Sequence, residues 1–260
     1  MAPRPRDPSA GADRQDLAGL HCVREALRAH RRPIHRLRLR KADPRPALAE
    51  LAALAAAAGV AVEEVEADEL ARAAGPGVAH QGVVLHCGPL PEPSLAELAE
   101  GGPAPRTLVA LDGVEDPQNL GAIARVAEAA GAAGLVLTWR RAPPLGPTVA
   151  RASAGAIEWL PVARVVNLAR SLRELQERGF WVFGAEPAAG DDLFSLPERV
   201  VRGNRVVLLG AEGRGLREGI ARVVDHWVRI PMAGQVASLN VSAAAAIVLF
   251  ELARRDRAGA

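Results

Sequence analysis

The 260-residue chain has no tyrosine, and only 3% of it is aromatic. That speaks against a binder built on rows of stacked rings. Cysteine is nearly absent: Cys22 follows His21, and Cys87 follows His86. No CxxC or HxxxH spacing accompanies them, so the pairs read as small core residues rather than a zinc site, and no metal is expected. Two isolated cysteines also fit a reducing compartment. No apolar run approaches the ~20 residues of a membrane span. Met1–Asp16 carries proline and charge where a secretory leader carries an apolar stretch. A cytoplasmic protein with no membrane partner is expected. Lysine occurs once, at Lys41, so the basic residues are almost all arginine.

What is present is a 49% hydrophobic, 24% charged composition that suits a globular protein with a full core. The length suits one large domain or two small ones. The formal charge of +2 conceals an asymmetry. Met1–Pro46 holds 12 basic and 5 acidic residues, Ala47–Gly102 holds 1 and 9, and the remainder 19 and 16. The basic opening segment reads equally as a phosphate-contacting face or as plain solvation.

Hydrophobic periodicity divides the chain. Met1–Gln15 reads as a disordered tail. Asp16–Cys87 reads as a small β/α domain: a helix over Asp16–His30, a strand over Ile34–Arg40, a helix over Ala47–Ala58, and strands over Val60–Val65 and Gly82–Cys87. Gly88–Arg106 is rich in proline and glycine and reads as a linker. From Thr107 to the end, short apolar strands alternate with helices, which predicts a parallel sheet covered on both faces. Such sheets bind ligands outside the carboxyl ends of their strands.

Three strand-end clusters stand out. The first runs from Leu111-Asp112-Gly113 through Asn119-Leu120-Gly121 to Arg125. Asn119 reads as a helix cap. Arg125, in a mostly apolar helix, reads either as an arginine snorkelling to water or as a guanidinium held for phosphate or ribose. Six residues apart, the two do not share a helix face. The second cluster is Leu209-Gly210-Ala211-Glu212-Gly213-Arg214-Gly215. It bends sharply and exposes backbone N–H groups, but its GxxGxG spacing is not the dinucleotide fingerprint. A tight turn seldom needs the carboxylate of Glu212. The third runs from Ile230-Pro231-Met232 to Ser238-Leu239-Asn240-Val241-Ser242. Helix capping accounts for one of Ser238 and Asn240, not for the whole string.

Together, in this order, the clusters resemble the three motifs of the SpoU (TrmH-type) family of RNA ribose 2′-O-methyltransferases. Upstream, Gly19-Leu20-His21, Val23-Arg24-Glu25-Ala26-Leu27 and His80-Gln81-Gly82-Val83 look like the substrate-binding domain of that family's bacterial 23S rRNA guanosine subgroup. Ala152-Ser153-Ala154-Gly155-Ala156 fits it too. The resemblance implies an α/β fold with a C-terminal trefoil knot, an exception to un-knotted chains. It also implies a homodimer, and S-adenosylmethionine as cofactor. Carried over by motif position, Gly210, Ile230 and Leu239 would contact the cofactor, with Thr138, Met232 and Ser238 as further candidates. Arg125 would be the main catalytic residue, with Asn119, Glu212, Ser238 and Asn240 around it. A free guanidinium is a poor base at neutral pH, so Arg125 acts either as a base tuned by its surroundings or as a stabiliser of the developing alkoxide. Arg36, Arg38, Arg40 and Gln81 are candidates for contact with the RNA, expected to be 23S rRNA or its precursor particle. DNA, which lacks the ribose 2′-hydroxyl, is not an expected substrate. The alternatives are a tRNA 2′-O-methyltransferase, an rRNA methylase conferring antibiotic resistance and a non-catalytic RNA-binding or assembly factor. A nicotinamide oxidoreductase lacks its glycine fingerprint.

Overall fold

A computed structural model describes residues 14–102, 104–186, 190–211, 213–236 and 238–258. The elements of the first stretch are β1 (Gln15–Ala18), α1 (Leu20–Ala29), β2 (Ile34–Arg40), α2 (Pro46–Ala57), β3 (Ala61–Val65), α3 (Ala67–Ala74) and β4 (Val83–Cys87). They are followed by α4 (Leu95–Glu100), β5 (Thr107–Asp112), α5 (Pro117–Ala129), β6 (Gly134–Thr138), α6 (Pro147–Ala152) and β7 (Val162–Val165). Then come α7 (Leu168–Glu177), β8 (Trp181–Ala185), β9 (Asp191–Asp192), α8 (Glu198–Val201), β10 (Arg205–Gly210), α9 (Glu218–Ala221), β11 (His226–Arg229) and α10 (Val241–Ala258).

The chain forms two compact units. One comprises the residues up to Pro91 together with Leu145–Trp159; the other comprises Glu92–Pro144 and Leu160 onward. The first unit holds a four-stranded sheet in the order β1-β4-β2-β3. The tail expected over Met1–Gln15 lies outside the described residues through position 13, and Gln15 opens β1. The helix expected from Asp16 therefore starts four residues later. Leu17 and Ala18 are fully buried because β1 pairs antiparallel with β4, some 70 positions on. A four-residue strand shows too little alternation to be told from the first turn of a helix; its distant partner decides.

Leu145–Trp159 is tied into this unit by a buried ion pair. Arg32 donates from Nε to Glu158 Oε2 at 2.9 Å and from Nη2 to Oε1 at 2.8 Å, and both side chains are at most 1% exposed. Arg32 Nη1 also donates to Gln15 Oε1 at 2.9 Å and to the Gly88 carbonyl at 3.2 Å. Gly155, at φ +89°, lies so close that a Cβ there would sit 2.6 Å from Glu25 Cβ and 3.2 Å from Cys22 Cα. Trp159 Nε1 donates to Glu25 at 2.9 Å. The two cysteines are buried, and desolvation pushes the Cys22 thiol up to about 12 and the Cys87 thiol up to about 11.

The second unit is built on an all-parallel seven-stranded sheet in the order β7-β6-β5-β10-β8-β11-β9. The α/β architecture expected from the strand–helix alternation is present. β10 enters between β5 and β8, so the centre of the sheet is buried on both faces: Leu108, Ala110, Val136, Val182, Val206 and Leu208 are fully enclosed. Edge strand β7 was not anticipated, since its four residues include the polar Arg164. The last helix begins at Val241 and packs against α5. Its inner face carries Glu251, which accepts from Arg254 and Arg255. Arg255 in turn donates to the carbonyls of Leu193, Leu196 and Phe194, stapling α10 to the turn before α8. These guanidinium groups hold the Glu251 carboxyl down from the ordinary value near 4.5 to about 2.

Two predictions follow from these buried charges. Glu158→Ala strands the Arg32 guanidinium without its partner and should cost about 3–5 kcal/mol; an unchanged urea midpoint refutes the assignment. A carboxyl with a depressed folded pKa stabilises above its unfolded value and loses that contribution as pH falls through the folded one. The stability gap between wild type and Glu251→Gln should therefore narrow as pH drops from about 4.5 toward about 2. A gap constant from pH 7 to pH 3 would contradict it.

Candidate active site

The three strand-end clusters meet at the carboxyl edge of the second unit's sheet, joined pairwise by contacts that no single cluster reveals. Asp112, at the end of β5, is 1% exposed. It accepts the Arg217 backbone N–H at 3.0 Å and the Arg217 Nε–H at 2.7 Å, which ties the first loop to the second. Asn240 Nδ2 donates to Asn119 Oδ1 at 3.0 Å, which ties the third to the first. The second and third loops share a cavity of about 400 Å³.

That cavity opens at the ends of β8, β10 and β11. Its walls are mostly apolar, from Leu209, Val228, Ile230, Met232, Leu239 and Val241, with Gly210, Ser238, Glu186 and Arg214 as its polar and backbone features. Gly210 is there for close approach: a Cβ would sit 2.3 Å from the Gly215 carbonyl carbon and 2.7 Å from the Leu216 nitrogen. The Gly215 N–H donates to the Ala211 carbonyl at 3.0 Å, closing the loop.

Five of the six expected cofactor residues, Gly210, Ile230, Leu239, Met232 and Ser238, line this one cavity. Thr138 does not. It ends β6, two strands from β10, and its hydroxyl donates to the Arg140 carbonyl, facing a separate depression. Periodicity placed Thr138 correctly at a strand end but could not say which strands are neighbours.

Among the expected catalytic residues, Asn119 and Asn240 touch, and Ser238 lines the cavity. Glu212 lies outside the described residues. Arg125 is exposed on α5 and does not line the cavity. The cap expected of Asn119 belongs to Asp116, whose carboxylate accepts from Gln118 N–H at 3.0 Å; Pro117 opens the helix, putting Asn119 inside its first turn. Asn240 does cap: its Oδ1 accepts the Ser242 N–H at 2.9 Å and the Ser242 hydroxyl at 2.6 Å.

The basic strand face in the first unit is largely neutralised. Arg36 Nη1 lies 3.0 Å from Glu63 Oε1, and Arg38 is 3.4 Å from Glu63 and 3.8 Å from Glu69. β3 runs parallel beside β2 and sets Glu63 against these arginines, while Glu69 reaches Arg38 from α3. Arg40 and Gln81 lie elsewhere, lining a depression with Lys41, His80 and the Arg45–Asp43 ion pair. Gln81 Oε1 accepts the Leu20 N–H at 3.0 Å, so its amide NH₂ remains a donor.

Two family profiles match the chain: the SpoU rRNA Methylase family over residues 106–250, and RNA 2′-O ribose methyltransferase substrate binding over residues 17–93. The chain belongs to the SpoU rRNA methylase family. It is 40% identical over 244 residues to a Pseudomonas aeruginosa protein named 23S rRNA (guanosine-2′-O-)-methyltransferase RlmB, covering 93% of this chain and 96% of that one. A Ralstonia nicotianae protein of the same name is also 40% identical, covering 92% and 95%. Among solved structures, the AdoMet-bound rRNA methyltransferase from Sinorhizobium meliloti is similar, at 29% identity and TM-score 0.76, covering 95% of this chain and 89% of that one.

Three residues of this SpoU site escaped the sequence reading. Glu186 follows β8 and lies in the cavity wall, its Oε2 3.1 Å from where a Gly215 Cβ would stand. Asp112 has no role that its own cluster reveals, and Arg217 lies two residues past the last glycine of the loop. A carboxylate directly after an apolar strand is the signal that marks both acids. Gly210→Ala should force the 210–216 loop apart and weaken S-adenosylmethionine binding at least tenfold; calorimetry on a variant with wild-type circular dichroism measures it, and unchanged affinity refutes the close-approach reading.

Proposed function

We propose that this SpoU-family protein transfers the methyl group of S-adenosylmethionine to a ribose 2′-hydroxyl of RNA, with a guanosine of 23S rRNA as the acceptor. The observation that carries the reading is the apolar cavity at Gly210, Ile230 and Leu239, coupled to the Asn119–Asn240 contact. Near full-length similarity to proteins named for that reaction supports the choice of RNA.

The cavity fits the cofactor: apolar side chains suit a purine and the methylene groups of its amino-acid chain, and the glycine loop brings backbone groups close. Gly210, Ile230 and Leu239 would hold it largely through backbone, with Met232 and Ser238 closing the wall and Glu186 available to accept from hydroxyl groups. When bound, its sulfonium supplies an electrophilic methyl. The protein's own task is then alignment and charge stabilisation. Asn240, fixed by Ser242, presents its amide to Asn119 and holds the start of α5 in place. As the ribose oxygen takes up the methyl group its proton passes to solvent, and Arg125, exposed on α5, stabilises the negative charge that develops on that oxygen.

Because Arg125 stands exposed on α5 and outside the cavity of its own chain, a second copy packing on α5 and α10 would bring it to a site. The exposed Phe250 on α10 supports a homodimer on that face. The insertion of β10 between β5 and β8 is compatible with a trefoil knot. We assign the first unit to RNA docking, with Arg40 and Gln81 rather than Arg36 and Arg38 making the contacts.

Labelled methyl from S-adenosylmethionine should appear in unmodified 23S rRNA and not in bulk tRNA assayed in parallel; label in tRNA alone would move the substrate. Arg125→Ala should lower kcat about 10²–10³-fold, as removal of one oxyanion donor does, with cofactor affinity unchanged. Loss of both, in a folded variant, overturns the assignment of Arg125.

A further inference from the structure

The depression that Thr138 faces is not part of the cofactor cavity, and the methyl-transfer chemistry assigns it no task. It has a volume of about 530 Å³ and opens at the carboxyl ends of β6 and β7. Three arginines line it, Arg140, Arg141 and Arg217, and no acidic side chain does among the described residues. Arg217 is partly spent on Asp112. The guanidinium groups of Arg140 and Arg141 have no hydrogen-bond or ion-pair partner among the described residues, in a chain whose other arginines are mostly paired.

Their placement is built. The Thr138 hydroxyl, 6% exposed, donates to the Arg140 carbonyl and fixes the turn. Arg141 sits at φ +64°, a conformation that side-chain-bearing residues seldom adopt and that persists only where the surroundings demand it. Across the depression, Asn167 spends its Oδ1 on the Arg170 N–H at 3.1 Å, so what it has left to offer is its amide NH₂. The unspent groups of Arg140, Arg141, Arg217 and Asn167 are therefore donors, while the Thr138 hydroxyl, its proton spent on the Arg140 carbonyl, keeps only acceptor capacity. A ligand matched to the three guanidinium groups supplies acceptors and negative charge.

We propose that this depression binds a backbone phosphodiester of the RNA whose ribose is methylated. Guanidinium forks match phosphate oxygens two at a time, and two unpaired forks plus a third anchored one make a multidentate cradle. The location fits the same strand of RNA. β6 lies two places from β10, so at ~4.8 Å per strand the depression stands about 10 Å from the strand that carries Gly210. Arg217 links the two places physically, since it lines the depression while its bonds to Asp112 anchor the end of the glycine loop. The role is positional: the phosphate is held beside the chemistry and takes no part in it.

The proposal rests on the RNA-methyltransferase reading, and its test separates the two. Full-length Arg140→Gln, Arg141→Gln and the double variant are titrated with an unmodified 23S rRNA transcript at several salt concentrations, and methyl transfer is measured alongside. The double variant should raise the KM for RNA about tenfold, and the slope of log affinity against log salt should fall by about 1.4, at ~0.7 per lost contact on single strands. S-adenosylmethionine affinity and kcat at saturating RNA should hold. Arg140→Lys with Arg141→Lys should recover the slope but only part of the affinity. Arg173→Gln, an exposed change on the same α7 helix but outside the depression, is the control and should leave the slope alone. A double variant with wild-type KM and slope overturns the site, as does a control that lowers the slope equally. The slope is read from binding alone, so a wild-type protein that binds the transcript without methylating it would sink the rRNA reading while the site is still judged.

Discussion

The buried carboxylate of Asp112 is the constraint on which the catalytic edge depends. It ends a strand enclosed on both faces, where an unpaired charge would be expensive. Arg217 supplies both a backbone and a side-chain donor. Satisfying one buried group thus fixes where the chain must be after the glycine loop. That in turn places Gly215 against Gly210 and shapes the cavity between β10 and β11. The Asn119–Asn240 contact then brings the third loop to the first. Loops that are far apart in sequence become one site because each polar group at the sheet's edge needs a partner.

The same accounting governs the arginines. Arg32, Arg106, Arg205 and Arg255 are buried, and all four donate to carbonyl groups of the backbone. Arg24, Arg36, Arg38 and Arg45 are paired with acids on the first unit's surface. In a chain this rich in arginine, basic residues as such say little about nucleic acid. The informative ones are among those left without an internal partner. Lack of a partner is not enough by itself, since the exposed Arg173 also has none among the described residues; Arg140 and Arg141 stand apart because they line one depression with Arg217, and Arg40 because it lines another.

Much of this was legible beforehand. β5, β6, β8 and β10 are short apolar runs bounded by turns, and they read as buried parallel strands because burial on both faces removes any alternation. The glycines of the 210–215 loop and the Ser238–Asn240 string stood out because no local turn or cap required all of them. Less legible were β1, β7 and β9, whose two to four residues are too few to show a period. The pairing of Arg36 and Arg38 was illegible for a related reason: alternation reveals a basic face but not the acidic Glu63 on the strand beside it.

The sequence by itself determined the class of fold, the order of the three motifs and the residues that could do chemistry, because strand burial and glycine placement are written in local pattern. Tertiary structure alone decided which strands are neighbours. That decision put Thr138 at a separate arginine-lined depression, drew Leu145–Trp159 to the first unit through Arg32 and Glu158, and gave Asp112 its partner. The reason is physical: a buried polar group must find a partner wherever the chain can bring one, and the distance along the sequence does not enter that requirement.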